Sequence, residues 1–135
     1  MDKGYLYIAT GSKFIEEALT SIRSLKKIDS SVHATLVTDK EVNHAEFDNV
    51  IIQNIDKVNT TNWKEGIMFK VMGLLKSPYN KTFFIDTDTY FADDCSELFD
   101  LLNHFDLLMA HAPADTAQVV IDEKKVAGYY SYNTG

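Results

Sequence analysis

The sequence is poor in the residues that build cross-links and phosphate loops. It has one cysteine, Cys95, which cannot form an internal disulfide, so we expect a reducing, cytoplasmic setting. The four histidines are scattered without the spacing of a zinc site. Gly11 stands alone after the first predicted strand, without the further glycines of a dinucleotide or P-loop enzyme. Disulfide scaffolds, zinc proteins and P-loop enzymes are therefore disfavoured.

Long apolar runs and excess positive charge are also missing. No stretch approaches the roughly 20 apolar residues that span a bilayer, and residues 1–4 lack the apolar core of a signal peptide. Lys and Arg number 13 against 20 Asp and Glu, which gives a formal net charge of -7. Because this charge opposes phosphate backbones and anionic lipids, we expect no nucleic acid partner. The lack of a long apolar run predicts no transmembrane segment.

Strand and helix patterns alternate along the 135 residues, of which 45% are hydrophobic. Strands are predicted over residues 4–10, 32–38, 50–52, 81–91 and 107–110. Helices are predicted from an N-cap at Ser12 to Leu25, from caps at residues 59–62 through 63–76, and over a short stretch after Asp94 and Glu97. The alternation predicts a single α/β domain, residues 1–135, with a mainly parallel central sheet flanked by helices.

Helical spacing predicts which face of each long helix is buried. In the first helix the apolar face consists of Phe14, Ile15, Ala18, Leu19, Ile22 and Leu25, and in the second of Trp63, Ile67, Met68, Val71, Leu74 and Leu75. Ligands of parallel sheets bind at the carboxyl ends of the strands. Thr10 ends the first predicted strand, Asp39 follows the second, and Asp86 follows the apolar run within the fourth, so they are the first candidates for a binding site.

Two carboxylates follow the apolar run Phe83-Phe84-Ile85 directly, at Asp86 and Asp88. In an extended chain, residues i and i+2 point to the same side. Two such groups repel each other unless a cation lies between them, and their hard oxygens select magnesium, manganese or calcium. The competing interpretation is that both acids are turn or cap residues, which are common after strands.

The motif Asp86-Thr87-Asp88-Thr89, followed by Glu97-Leu98-Phe99, resembles the metal motif of glycogenin-like glycosyltransferases with the GT-A fold. The first strand and helix, the helix containing Lys70, and Asn133-Thr134-Gly135 agree in order, so the likeness covers nearly the whole chain. The resemblance implies a GT-A type Rossmann-like sandwich, a nucleotide-sugar donor such as a UDP-sugar, a sugar or protein acceptor, and Mn²⁺ or Mg²⁺.

The resemblance also implies roles for five residues. Asp86 would contact metal and ribose, and Asp88 would be the main protein ligand of the metal. Lys70 would approach the donor, Thr10 would hold the nucleotide base, and Phe14 would stack on uracil. No general base is assigned.

The residues by themselves leave alternatives open at three of the candidate positions. Core packing is the stronger interpretation of Phe14, and an aromatic face suited to a flat base is the weaker one. A lysine with a buried stem is an equal alternative for Lys70. A loop acid is the better interpretation of Asp39 than a ribose ligand.

The chain stops at Asn133-Thr134-Gly135, where the family's sugar and acceptor pocket continues. A histidine that usually completes the metal shell lies further downstream in relatives. We therefore expect an incomplete domain, truncated at its C-terminus. Apolar surface exposed by the missing elements would favour a homodimer.

Two other functions remain open. The first is a phosphohydrolase of the haloacid dehalogenase type, in which Asp86 would be the nucleophile; Tyr90 and the late position of the motif fit this family poorly. The second is a nucleotide- or metal-binding module without turnover. Release of UDP from a UDP-sugar would separate an active enzyme from such a module.

Overall fold

A computed structural model describes residues 1–54, 63–110, 119–121 and 124–126. The chain divides into two compact units, Met1–Asp100 and Leu101–Gly135. In chain order the elements are β1 (Lys3–Ala9), α1 (Gly11–Ile28), β2 (Ala34–Thr38), β3 (Asn49–Ile52), α2 (Trp63–Leu74), β4 (Lys81–Ile85), α3 (Leu98–Leu101), β5 (Val119–Ile121) and β6 (Lys124–Val126). The caps predicted at residues 59–62 and the segment 133–135 lie outside the described residues.

The first unit is built on a four-stranded, all-parallel sheet with the order β3-β2-β1-β4. Strand β1 is central, and its Tyr5 is in register with Ala34 of β2 on one side and Phe83 of β4 on the other. Every residue of β1 after Lys3 is buried. A strand covered on both faces needs apolar side chains on both sides, so the expected mainly parallel α/β sheet is confirmed.

The two long helices pack on opposite faces of this sheet. Tyr7 of β1 points toward α1, where its hydroxyl lies 3.0 Å from the Ser21 hydroxyl. Its neighbour Ile8 points the other way and forms a buried cluster with Leu6, Val37 and Phe69, the last of these on α2. Alternate residues of a strand face opposite sides, so a helix on each side buries β1 completely.

Helix α2 approaches the sheet closely through a glycine. A Cβ atom added at Gly73 would lie 2.8 Å from Cδ1 of Ile8, which is closer than side chains normally come. Gly73 and Phe69 are the residues that α2 turns toward the sheet, since both are buried. The small residue lets the helix backbone lie near the strand.

The apolar face predicted for α2 is wrong. Its members Ile67, Met68, Val71, Leu74 and Leu75 are all exposed, and Leu75 is 77% exposed; the side chain of Trp63 lies outside the described part. Because α2 is apolar on most sides, the spacing of its apolar residues indicated no unique direction. Close packing of the helix against β1 decides the face instead.

Two predicted boundaries and one predicted strand also need correction. Helix α1 begins at Gly11 with Thr10 in the N-cap position, rather than after a cap at Ser12. Strand β4 ends at Ile85 instead of residue 91, because the chain turns directly afterwards. Residues 107–110 form no strand, because apolar residues become a strand only where a neighbouring strand pairs with their backbone.

In the second unit the described strands β5 and β6 pair antiparallel, with Val120 opposite Lys125. Neither strand was predicted from the sequence. Within the residues that the structure describes, no helix is long and apolar enough to cross a membrane.

Candidate functional site

The candidate site lies at the carboxyl ends of the parallel strands. Thr10 follows β1, Asp39 follows β2 and Asp86 follows β4, and these strands are neighbours in the sheet. From β1 the chain proceeds to β2 on one side, and it later returns to β4 on the other side of β1. In α/β sheets such a reversal of strand order commonly opens a crevice between the two strands, here β1 and β4, where ligands bind. Thr10 follows β1 and Asp86 follows β4 at this point of the sheet.

Lys70 of α2 reaches the first of the two acids. Its ammonium nitrogen lies 2.7 Å from Oδ1 of Asp86 and 5.9 Å from the centre of the Phe84 ring. The side chains of Lys70 and Asp86 are 35% and 23% exposed, so the pair is partly buried but still open to solvent. Lys70 therefore reaches the end of β4 from α2.

The two acids lie on a tight turn. The carbonyl of Asp86 accepts hydrogen bonds from the Thr89 amide at 3.3 Å and from the Thr89 hydroxyl at 2.8 Å. This closes a four-residue turn with Thr87 and Asp88 at its corners. The premise that the segment is extended is wrong, because the backbone bond to Thr89 bends it. The turn interpretation describes the backbone correctly.

The side chain of Asp88 stands out from this turn into solvent. Asp88 is exposed, and within the described residues its carboxylate takes part in no hydrogen bond or ion pair of the kind that holds Asp86. Both oxygens are thus accessible to a cation. Asp86 contributes a second carboxylate two residues away, with Oδ1 already held by Lys70.

This donor set fits a hard divalent cation with few protein ligands. Carboxylate oxygens suit Mg²⁺ and Mn²⁺, and Mg²⁺ commonly keeps several waters or substrate phosphates beside one or two carboxylates. Among the residues that the structure describes, no three His, Cys, Asp or Glu side chains gather to enclose a metal ion.

The residues expected at the nucleotide base lie around the start of α1. Thr10 is extended, with φ -116° and ψ 139°, and its side chain does not cap the helix. Phe14 is 44% exposed, and the Lys13 ammonium lies 5.7 Å from the centre of its ring. The core interpretation of Phe14 is wrong, because the helix turns Ile15 rather than Phe14 toward the sheet. Its ring is accessible for stacking.

Asp39 has a structural partner. Its Oδ1 accepts a hydrogen bond from the Gly11 amide at 3.1 Å, so it serves the first turn of α1 in place of the missing Thr10 cap. Gly11 has a φ of 72°, a conformation that glycine adopts without strain. This contact favours the interpretation of Asp39 as a loop acid over that of a ribose ligand.

Two polar residues of α1 that contact the acidic turn, residues 86–89, or the chain just after it were not predicted from the sequence. Ser21 and Ser24 are buried on the face of α1 that packs on the sheet. The Ser21 hydroxyl lies 3.0 Å from that of Thr89, and the Ser24 hydroxyl accepts the Phe91 amide at 2.9 Å. The signal was present in the sequence, since two serines interrupt an otherwise apolar helix face.

Comparisons with known proteins assign no family to the chain. No protein-family model matches the sequence, and no curated protein is significantly similar to it. The chemistry of the site therefore has to be inferred from Asp86, Asp88, Lys70 and the residues around them.

Proposed function

We propose that this chain is the donor-binding part of a metal-dependent glycosyltransferase of the GT-A type, which uses a nucleoside-diphosphate sugar such as a UDP-sugar. The observation that carries the proposal is the turn at the end of β4. It presents Asp88 to solvent beside Asp86, with the Lys70 ammonium 2.7 Å from Asp86, at the reversal point of the sheet. The sequence motif Asp86-Thr87-Asp88 supports the same assignment.

Asp86 and Asp88 would hold Mn²⁺ or Mg²⁺. When bound, this ion supplies Lewis-acid stabilisation to the charge that grows on the departing diphosphate. Lys70 adds a positive charge beside Asp86, in a position to attract the same phosphates. The part played by these residues is electrostatic and positional.

The nucleoside end of the donor would lie toward the start of α1. Phe14 offers an exposed ring that can stack on uracil, and Thr10 follows β1 at the edge of the same crevice. A base stacked there and a diphosphate at Asp86 would place the donor across the carboxyl ends of β1 and β4. The acceptor, a sugar or a protein, would approach from outside this edge.

A thermal-shift titration with UDP, with and without Mn²⁺, tests the proposal. At a UDP concentration about 100 times the dissociation constant, binding should add roughly 2.7 kcal/mol to the free energy of unfolding. The shift should require Mn²⁺ and disappear in Asp88→Asn. Asp2→Asn is the matched control, because Asp2 is exposed and precedes β1 at the opposite edge of the sheet.

A second measurement separates an enzyme from a binding module. An active chain should slowly release UDP from a UDP-sugar without acceptor, and Asp88→Asn should abolish this release. Binding of UDP with no release would indicate a module without turnover. Hydrolysis of a model phosphate ester that is lost in Asp86→Asn would instead favour the haloacid dehalogenase type.

A further inference from the structure

One stripe of α1 contacts alternate residues of the segment that follows β4. Three pairs lie in order: Glu17 Oε2 accepts the Thr87 hydroxyl at 3.1 Å, Ser21 contacts the Thr89 hydroxyl at 3.0 Å, and Ser24 accepts the Phe91 amide at 2.9 Å. Residues i, i+4 and i+7 share one face of a helix. Helix α1 therefore contacts the acidic turn at Thr87 and Thr89 and the chain just after it at Phe91.

The number of hydroxyl protons decides which group is the donor in the contact between Ser21 and Thr89. Each hydroxyl has one proton to donate. Thr89 donates its proton to the Asp86 carbonyl, which can only accept, so Thr89 must accept from Ser21. Because the Ser21 proton is donated to Thr89, Ser21 must accept a hydrogen bond from the Tyr7 hydroxyl, 3.0 Å away. The result is a relay that runs from the Tyr7 phenol through Ser21 and Thr89 to the carbonyl of Asp86.

The Tyr7 phenol, at which this relay starts, is buried and remains a hydrogen-bond donor. Ser21 is fully buried, and Tyr7 is buried beside it. Burial raises the pKa of the Tyr7 phenol well above its ordinary value of 10.0, and the hydrogen bond with Ser21 opposes this only in part. The phenol therefore keeps its proton at neutral pH. Because Tyr7 and Ser21 are buried in the core, the first two groups of the relay are held in place by packing.

We propose that Ser21 and Thr89 are positioning residues, which set the affinity of Asp86 and Asp88 for a divalent cation by holding their turn against α1. This inference rests on the proposed function. Neither hydroxyl would be a ligand of the cation; Thr89 acts through the backbone of Asp86 and Ser21 acts through Thr89. Polar groups that orient metal ligands in this way commonly change metal affinity when they are removed.

Substitutions at Thr89 test the relay, because Thr89 is exposed and tolerates change without repacking the core. Thr89→Val keeps the shape and removes the hydroxyl, and it should weaken Mn²⁺ binding in the presence of UDP by about 10- to 100-fold. Thr89→Ser restores the hydroxyl and should restore the affinity. Thr20→Val is the matched control on α1, since within the described part of the chain the Thr20 hydroxyl bonds to the Glu16 carbonyl of its own helix alone.

Two readouts are needed on the full chain: Mn²⁺ affinity, followed by the paramagnetic resonance of free Mn²⁺, and hydrogen exchange of the Thr89 and Phe91 amides without metal. We expect Thr89→Val to weaken binding and to speed exchange. If the wild-type chain binds Mn²⁺ and Thr89→Val binds it with the same affinity, this inference is overturned and the proposed function is not. Equal weakening in Thr20→Val would also overturn it. A wild-type chain that binds neither Mn²⁺ nor UDP would overturn the proposed function and the metal role of the relay together.

Discussion

The ammonium of Lys70 lies 2.7 Å from Oδ1 of Asp86, although the two residues are 16 positions apart and belong to different elements. The pair joins α2 to the end of β4. One lysine beside two acids leaves the turn with a net negative charge, because Asp88 has no such partner among the described residues. This charge favours a cation, and the Lys70 ammonium stays close enough to meet an anionic ligand of that cation.

Replacing Lys70 with glutamine should weaken donor binding more than it weakens the fold. Loss of one charge-assisted hydrogen bond of about 1.5 kcal/mol corresponds to about a 10-fold loss of UDP affinity in the presence of Mn²⁺. The free energy of unfolding should fall by less than about 1 kcal/mol, because the ion pair is partly exposed. Calorimetric titration and urea unfolding measure the two effects.

Lys26→Gln is the matched control for this experiment. Lys26 pairs with Asp48 at 3.1 Å with similar exposure, but it lies near the C-terminal end of α1, away from the carboxyl edge of the sheet. It should change stability by a comparable amount and leave UDP affinity unchanged. Equal losses of affinity in both variants would contradict a specific role for Lys70.

Gly11 should resist replacement for a conformational reason. A Cβ at Gly11 would meet no atom within 4 Å, but its φ of 72° lies in the left-handed region. Gly11→Ala should therefore lower the free energy of unfolding by about 1–2 kcal/mol. Gly66→Ala also meets open space but lies inside α2, where alanine is the better helix former, so it should raise stability by about 0.5–1 kcal/mol. Denaturant unfolding of the two variants in parallel checks the opposite signs.

Asp48 should make part of the stability depend on acid pH. Burial opposes its charge, but the Ala34 amide at 2.9 Å and the Lys26 ammonium at 3.1 Å outweigh burial and lower the pKa of the carboxyl below 3.8. A lowered pKa stabilises the fold above the unfolded value, and this contribution is lost as the pH falls through the folded value. The free energy of unfolding should thus decrease below about pH 4.

Two variants isolate this contribution. Asp48→Asn removes the titrating group and should flatten the acid side of the stability curve, and Lys26→Gln should flatten it in part. Urea unfolding between neutral and acid pH gives the curves. An unchanged slope in Asp48→Asn would show that Asp48 does not contribute to the acid dependence.

The outline of the first unit could be predicted because local patterns and burial agree there. The run from Tyr5 to Ala9 is apolar on both sides, as a central parallel strand requires, and the structure buries all of it. In α1 the spacing of Ile15, Leu19 and Ile22 indicated the buried face correctly, since polar residues occupy the opposite side. The acids after β4 could be located because they directly follow its apolar run Phe83-Phe84-Ile85, although the predicted strand continued to residue 91.

Contacts between distant segments could not be predicted in this way. The spacing of residues within a helix gives no direction when most sides are apolar, so only packing of Phe69 and Gly73 against β1 could orient α2. Phe14 belongs to an apolar series in the sequence, but its ring is exposed, because α1 buries its neighbour Ile15 instead.

The order of elements and the chemical nature of the acidic turn were already contained in the amino-acid sequence, because periodicity and residue type act locally. The partners of that turn came only with the tertiary structure. Lys70 reaches Asp86 from α2, and Ser21 reaches Thr89 from α1. Both pairs form because a sheet with helices on opposite faces brings remote side chains to one strand end.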